Sequence, residues 1–351
     1  MDQQQAAGVR TVGVATDATA AAWDAFVAAQ PGGSFYHCHG WKTLNERHLG
    51  HTALFLEARD GTKLTGVLPL VLTRSRIFGR ILCSMPFVNF GGPLATDDAT
   101  AQQLISAAQD HAARMKADYL ELRCAAPLDT SMQASTHKIS MTLELQPDPE
   151  QLWNKFSSKH RTAVRRVYKD GLSVVSGGRE LLPEFYSVMQ HSWRDLGTPL
   201  YSPQYFEAIV DAFPAETRLF VCRRDGAAVA VAFNGYFAGK VEGMWAGNTR
   251  AGHDMNANYV LYWEMIKDAC ERGFGRYHLG RSTVGSGAEL FKKKWNAEPS
   301  QLYWYYHFPR GTEKNIVNVN HPTFHYGISA WRKLPLWATR MIGPRLARVI
   351  P

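Results

Sequence analysis

The sequence lacks the signatures of nucleotide hydrolysis, dinucleotide binding, zinc proteolysis and α/β-hydrolase chemistry. Over 351 residues there is no Walker-type phosphate loop, no G-x-G-x-x-G after a first strand, no H-E-x-x-H and no G-x-S-x-G. Cysteine is sparse. Cys38, Cys83, Cys124, Cys222 and Cys270 are odd in number, widely spaced and without a C-x-x-C pair. That excludes a disulfide framework and a zinc ribbon, and reads as buried thiols in a reducing compartment. No apolar run approaches the roughly 20 residues of a spanning helix. Met1–Ala18 also lacks the charged stretch and apolar core of a signal peptide. A cytoplasmic location is therefore the expectation. The 13 histidines form no metal-spaced pair beside carboxylates. His37-Cys38-His39 comes nearest, but neighbours on extended backbone point to opposite faces, and no metal is expected.

Hydrophobic residues make up 45% and charged residues 20%, as in ordinary globular proteins. The length suits two units rather than one. Aromatics reach 12%, including 10 Trp and 14 Tyr, which suits grooves as well as cores. The net charge is +8 and the pI about 9.2. That balance fits nucleic acid, anionic lipid or a phosphate-rich substrate, and equally a plain basic surface.

Periodicity and turn signals give the order of elements. Helices are predicted over 20–29 and 40–48, then strands over 52–58 and 64–72 joined through Asp60-Gly61. A strand at 81–84, the loop MPFVNFGGP over 85–93, a helix over 99–116 and strands over 118–123 and 138–145 follow. Asp148-Pro149 opens a single helix over 150–170, ended by Gly171. Helices over 181–195 and 203–212 precede a second hairpin, 217–223 and 228–237, through Asp225-Gly226. A strand over 240–246, a helix over 258–272 and strands over 276–279 and 302–308 complete the series. Helices, an Asp-Gly hairpin, a strand, a helix and a strand thus occur twice. The expectation is an α/β (α+β, mixed-sheet) protein of two related units, 1–148 and 149–325, followed by a basic amphipathic tail over 326–351. The tail has five Arg/Lys, no acid, and Pro335 and Pro344 to break it into short pieces. It can pack on its own unit or lie on an anionic membrane surface.

The segment Leu279 to Trp295 carries the densest chemistry. Gly280, Gly285 and Gly287 permit close backbone approach, and Arg281, Lys292, Lys293 and Lys294 offer charge for phosphate or carboxylate. The competing reading is a Gly/Ser loop and a solvated basic face. On the helix over 152–170, Arg161, Arg165 and Lys169 share one face by i, i+4 spacing. That face suits a diphosphate, a lipid phosphate or tRNA, or simply solvent. The loop 194–202 brings Asp195 and Tyr201, and the aromatic loop 86–93 brings Asn89.

The motifs SFYHCHGW, GVLPL with SRIFGR, NFGGP, HRTAVRRVYKDGL, RDLGTPLYS, NANYVLYWE, LGRSTVGSG, FKKKW and LYWYY occur in this order over residues 20–350. Together they resemble the FemAB-related proteins of the GNAT acyltransferase superfamily, in particular those associated with exosortase and exopolysaccharide systems. The resemblance implies two tandem GNAT-like domains. It also implies transfer of an acyl or aminoacyl group, from acyl-coenzyme A or aminoacyl-tRNA, to an amine of a small or lipid-linked cell-envelope or exopolysaccharide precursor. The family's FK motif falls on Phe291 and Lys292, its GRS segment on Gly280, Arg281 and Ser282, and its basic helix on Arg161, Arg165 and Lys169. Departures are visible, among them Lys294, which stands where a smaller or polar residue is usual. The GNAT pyrophosphate loop is missing from 252–258, and His278 stands where relatives often carry an acid.

The expected catalytic set is Lys292, Arg281, Asp195 and Tyr201. Arg161, Arg165, Lys169, Gly280, Ser282, Lys293, Trp295, Asn258, Trp245 and Asn89 form the expected substrate-binding set. The proton acceptor is left open among Asp195, His278, Tyr201 and water. The expected protein is a monomer without a permanent cofactor, with tRNA and the membrane surface as further partners. The alternatives are a coenzyme A-dependent N-acetyltransferase acting on a sugar or amino acid, and a non-catalytic scaffold for polysaccharide assembly.

Overall fold

A computed structural model of the chain describes residues 10–311, 316 and 322–350. The chain divides into two units, Met1–Thr136 with Leu302–Lys314, and His137–Gln301 with Asn315–Pro351. The second unit starts ahead of Asp148 because the strand Lys138–Glu144 pairs within its sheet. The strand Tyr303–His307 instead pairs within the sheet of the first unit.

The first unit contains β1 (Arg10–Val14), α1 (Ala20–Ala29), α2 (Gly40–Thr43, continued by a wider turn through His48), β2 (Thr52–Asp60), β3 (Lys63–Ser75) and β4 (Gly79–Cys83). It continues with β5 (Leu94–Ala95), α3 (Asp98–Arg114), β6 (Tyr119–Cys124), β7 (Gln133–Ser135) and β15 (Tyr303–His307). The sheet runs β1-β2-β3-β4-β6-β15-β7, with β5 beside β3. Only β4 and β6 pair in parallel, joined by the crossover helix α3. Leu104, Ile105, Ala108 and Ala112 of α3 recur at helical spacing and pack on Leu54, Leu56, Leu68, Leu70 and Leu120.

The second unit contains β8 (Lys138–Glu144), α4 (Pro149–Lys155), α5 (Ser158–Lys169), β9 (Leu172–Gly177), α6 (Leu182–Leu196), α7 (Pro203–Ala212), β10 (Thr217–Arg224), β11 (Ala227–Phe237) and β12 (Lys240–Asn248). It ends with α8 (Arg250–Asp254), α9 (Asn258–Glu271), β13 (Arg276–Thr283), α10 (Gly287–Lys293), β14 (Glu298–Gln301), α11 (Pro322–Lys333) and α12 (Leu336–Ala347). Its sheet runs β14-β8-β13-β12-β11-β10-β9. Asp225 and Gly226 both have positive φ, as a tight hairpin turn requires. Helices α4, α5 and α9 cover one face. Val164, Val260, Leu261 and Ile266 meet Met141, Val241 and Tyr277 there. Helices α6 and α7 cover the other, with Phe185 and Phe206 at 5.7 and 6.5 Å from Phe233. Both units thus repeat one plan: antiparallel strands, a crossover helix, then a parallel strand.

The short strands β1, β5, β7 and β14 and the short helices α8 and α10 were not expected from the sequence, and other elements differ in extent. The helix expected over 150–170 is two helices, α4 and α5. Phe156 is extended, and the Ser157 hydroxyl caps the second helix by accepting from the His160 N–H at 3.2 Å. The supposed Gly/Ser loop is shorter than expected. Strand β13 continues to Thr283 and α10 starts at Gly287, capped by the Ser286 hydroxyl. Strand β9, which the sequence reading omitted, forms the sheet's edge beside β10. Pro344 lies inside α12 and does not break it. The tail packs on α6: the Arg332 side chain donates to the Leu196 carbonyl at 3.2 Å, and a Cβ at Gly197 would strike Ile328. All five cysteines are buried, and none forms a disulfide. Among the described residues, no helix is long and apolar enough to cross a membrane.

Candidate active site

Strands β12 and β13 pair over only three rungs, Lys240 with Arg276, Val241 with Tyr277 and Glu242 with His278. Past the third rung they part. Strand β12 follows β11 and β13 follows β8. Each arm carries an irregularity at the parting. On β12, Gly243 faces Asn234 and Trp245 faces Phe233, so Met244 is the extra residue of a bulge. On β13 the register with β8 shifts between His278 and Arg281. Gly280 there holds φ +81°, which a side-chain-bearing residue adopts only under strain. The result is a fork at the carboxyl ends of two parallel strands, where open α/β sheets bind ligands.

Glu242 and His278 occupy the last rung. The His278 Nδ1 lies 2.8 Å from Glu242 Oε1. Glu242 is fully buried, and the His278 side chain is 15% exposed. Glu242 Oε2 has no hydrogen-bond partner among the described residues. An isolated carboxylate in such a place is costly, so the pair is an arrangement the fold maintains against that cost.

Lys292 holds the other arm. Its ammonium donates to the Gly280 and Arg281 carbonyls at 2.9 and 3.0 Å and to the Ser282 hydroxyl at 3.1 Å. Three donors meet three acceptors, which ties α10 to the bulge in β13. Burial, with the Arg281 charge nearby, pushes the Lys292 ammonium down to about 8. Lys293 instead faces Glu289 at 2.6 Å, and Glu289 also accepts the Gly285 N–H. These two bonds, Lys293 first, hold the Glu289 carboxyl below its usual range and fix the turn into α10. Trp295 is fully buried. It packs against His160, Phe156, Tyr262 and Phe291, with the His160 ring edge-on at 4.2 Å.

The structure brings Gly280, Arg281, Ser282 and Lys292 together with His278 on β13 and α10. Trp245 lies on the diverging arm of β12, and Tyr201 stands 6.5 Å from it, buried among Trp193, Tyr205 and Phe206. Asp195, at the end of α6, is held by two guanidiniums, Arg194 at 2.8 Å and Arg250 at 2.9 Å. Partial burial pushes its carboxyl up, but these hydrogen bonds win and leave it below the usual carboxylate range. Asn258 is the first residue of α9. Arg161, Arg165 and Lys169 lie along α5. Arg161 donates to Asn154, Arg165 lies 5.4 Å over the Trp153 ring, and Lys169 is exposed. Asn89 belongs to the first unit and donates to the Tyr36 hydroxyl at 2.8 Å. Glu242 was missed from the sequence. Its signal was a lone acid between Val241 and Trp245 in an apolar strand.

The first unit closes the equivalent position. Its parallel strands β4 and β6 also pair over three rungs, the third being Cys83 with Glu121. Strand β4 ends there, so no second arm extends beyond it. Arg123 lies 2.5 Å from Glu121 and 4.3 Å from the Trp304 ring centre, and both charged side chains are at most 5% exposed. Cys83 donates to the same carboxylate at 3.3 Å. The acid in this unit is buried and paired with an arginine in place of a histidine.

Residues 154–293, which contain the fork, match the family model of a GNAT acetyltransferase domain. The fold is that of tandem GNAT proteins. It is similar to the crystal structure of FemX, at a TM-score of 0.67 and 16% identity over 86% of this chain and 98% of that one. A tandem GNAT protein from the clavulanic acid biosynthesis pathway gives a TM-score of 0.54 at 12% identity, covering 87% of this chain and all of that one. In sequence, 157 residues, 43% of the chain, are 29% identical to the UDP-N-acetylmuramoylpentapeptide-lysine N(6)-alanyltransferase of Weissella viridescens. The match spans 46% of that relative's length.

Proposed function

We propose that the protein is an acyltransferase that moves an acyl or aminoacyl group onto an amine of a cell-envelope precursor at the fork between β12 and β13. The Glu242–His278 pair at the last shared rung carries this reading. An amine must lose a proton as it attacks a carbonyl. Glu242 accepts from His278 Nδ1–H, which fixes the tautomer in which Nε2 is the basic nitrogen. His278 then takes the proton as the N–C bond forms. The carbonyl C–S bond of a thioester, or C–O bond of a ribose ester, then breaks, and the leaving sulfur or oxygen takes that same proton back from His278. The Met244 backbone, outside the β11–β12 ladder, supplies an N–H toward the developing oxyanion. Lys292 acts through the strand it holds, and Arg281 and Ser282 line the same arm. Asp195, already neutralised by two arginines, positions α6 beside the fork.

For the donor, aminoacyl-tRNA is favoured. The similarity to an alanyltransferase, the basic face of Arg161, Arg165 and Lys169, and the missing pyrophosphate loop all support it. The acceptor is then the side-chain amine of a nucleotide- or lipid-linked peptide, with an exopolysaccharide precursor as the variant. The match to a GNAT acetyltransferase domain favours a second reading, with acyl-coenzyme A as donor. The test offers purified protein alanyl-tRNA or acetyl-coenzyme A, each with UDP-N-acetylmuramoyl-pentapeptide, and follows acceptor mass. Gain of an alanyl group supports the first reading and gain of an acetyl group the second. No gain with either donor, under conditions where a related alanyltransferase is active, overturns both for this acceptor.

The site of work proposed is the inner membrane surface. Helix α12 turns Ala338, Thr339, Gly343 and Ala347 inward and leaves Trp337 and Met341 at 69% and 59% exposure. Arg340, Arg345 and Arg348 flank them on the exposed side. Apolar anchors ringed by arginines fit an anionic bilayer surface.

A further inference from the structure

A pocket outside the fork lies between α6 and the two C-terminal helices. Tyr186, Gln190 and Arg194 of α6 line it with Trp331 of α11 and Thr339 and Arg340 of α12. None of these residues lies on β12 or β13. It holds about 220 Å³ of open space, less than the roughly 300 Å³ at which drug-sized sites begin. Its enclosed part admits about one oxygen-sized group.

The lining has one chemical sense. Two guanidiniums, an indole N–H and an amide face one space, and among the described residues no carboxylate lines it. The Trp331 side chain is buried, 8% exposed, and its Nε1 has no hydrogen-bond partner among the described residues. A buried indole N–H without an acceptor is an unfavourable arrangement unless a ligand or water completes it. Arg340 has no carboxylate partner among the described residues, whereas Arg194 is partly neutralised by Asp195. The Tyr186 hydroxyl spends its proton on the Tyr201 carbonyl at 3.1 Å, so it fixes the ring at the pocket wall and is not itself a donor to the pocket.

We infer that this pocket binds a phosphate group, with Arg340 and Arg194 taking its charge and Trp331 Nε1–H donating to one buried oxygen. Guanidiniums match phosphate oxygens in pairs, and the neutral donor adds direction. The phosphate belongs either to a lipid headgroup, given the exposed Trp337 and Met341 on the same helix, or to a soluble phosphorylated molecule. The inference does not rest on acyl transfer, since its test reads binding alone.

The test measures binding to inorganic phosphate by calorimetry and to phosphatidylglycerol or phosphatidylcholine vesicles by sedimentation, with the full chain. Arg340→Gln changes an exposed side chain, and Trp331→Phe keeps the buried ring while removing its N–H. The expected result is binding of phosphate, of phosphatidylglycerol vesicles or of both. Binding should weaken about tenfold in Arg340→Gln and severalfold or more in Trp331→Phe. Phosphate binding without vesicle preference assigns a soluble ligand, and vesicle binding alone assigns a headgroup. Absence of both, or binding indifferent to Trp331→Phe and Arg340→Gln, overturns the site.

Discussion

His278 Nδ1 and Glu242 Oε1 stand 2.8 Å apart on the last rung that two parallel strands share before they separate. The pair sits where the pairing between β12 and β13 stops. Replacing Glu242 by Gln keeps its volume and removes the charge that orients the imidazole. We expect kcat to fall about 100-fold or more in both Glu242→Gln and His278→Ala, with little change in KM. Stability should not fall in Glu242→Gln, because a buried carboxylate with one unpartnered oxygen opposes folding. Steady-state kinetics and thermal melts of the same variants read both. A KM effect alone would place the pair in binding rather than proton transfer.

Much of this plan was legible in the sequence because it depends on local signals. The two Asp-Gly turns marked the hairpins, and Gly171 marked the end of helix α5. The FK and GRS segments pointed to α10 and β13 because each carries unusual residues in a short run. What escaped depends on register. Nothing local says that Glu242 pairs with His278 and not with a neighbour, since that follows from a parallel pairing whose first rung joins Lys240 to Arg276, 36 residues on. The break at Ser157 escaped for a related reason. The apolar spacing continues through it, and only the cap and the extended Phe156 reveal that the helix stops.

Lys292 should titrate well below the usual lysine range. Burial and Arg281 lower its ammonium from 10.5 to about 8. The folded value lies below the unfolded one, so the unfolded chain binds more protons between the two. Lys292 therefore opposes folding while charged, and its contribution improves as pH rises from about 8 toward 10.5, by on the order of 3 kcal/mol at full shift. In protein labelled with ¹³C-lysine, one Cε resonance should titrate near 8 and vanish in Lys292→Met. A spectrum with no lysine resonance titrating near 8 contradicts the buried clamp.

His160 gives the opposite end of the pH scale. It is buried against Trp295 and Phe156, and neither ring nitrogen has a hydrogen-bond partner among the described residues. Burial first, and then Lys294, lowers it from 6.5 to about 4. The neutral ring's contribution is present above 6.5 and is lost as pH falls through that window toward 4, again by on the order of 3 kcal/mol. His160→Phe should flatten the fall in melting temperature between pH 6.5 and 4. An unchanged acid limb assigns the acid sensitivity to other groups.

The outer face of α12 makes a prediction separable from the phosphate pocket beneath it. Trp337 and Met341 point away from the fold, so Trp337→Ala with Met341→Ala should leave the melting temperature unchanged. If this face meets a bilayer, the double variant should lose about tenfold or more in affinity for phosphatidylglycerol vesicles, because burying an indole and a thioether drives interfacial binding. Binding should also weaken as salt rises, since five cations and no acid occupy residues 326–351. Inorganic phosphate binding, read in the same variant, should not change, because neither side chain lines the pocket. Vesicle binding that survives the double substitution and resists salt argues that α12 serves only to cover α6.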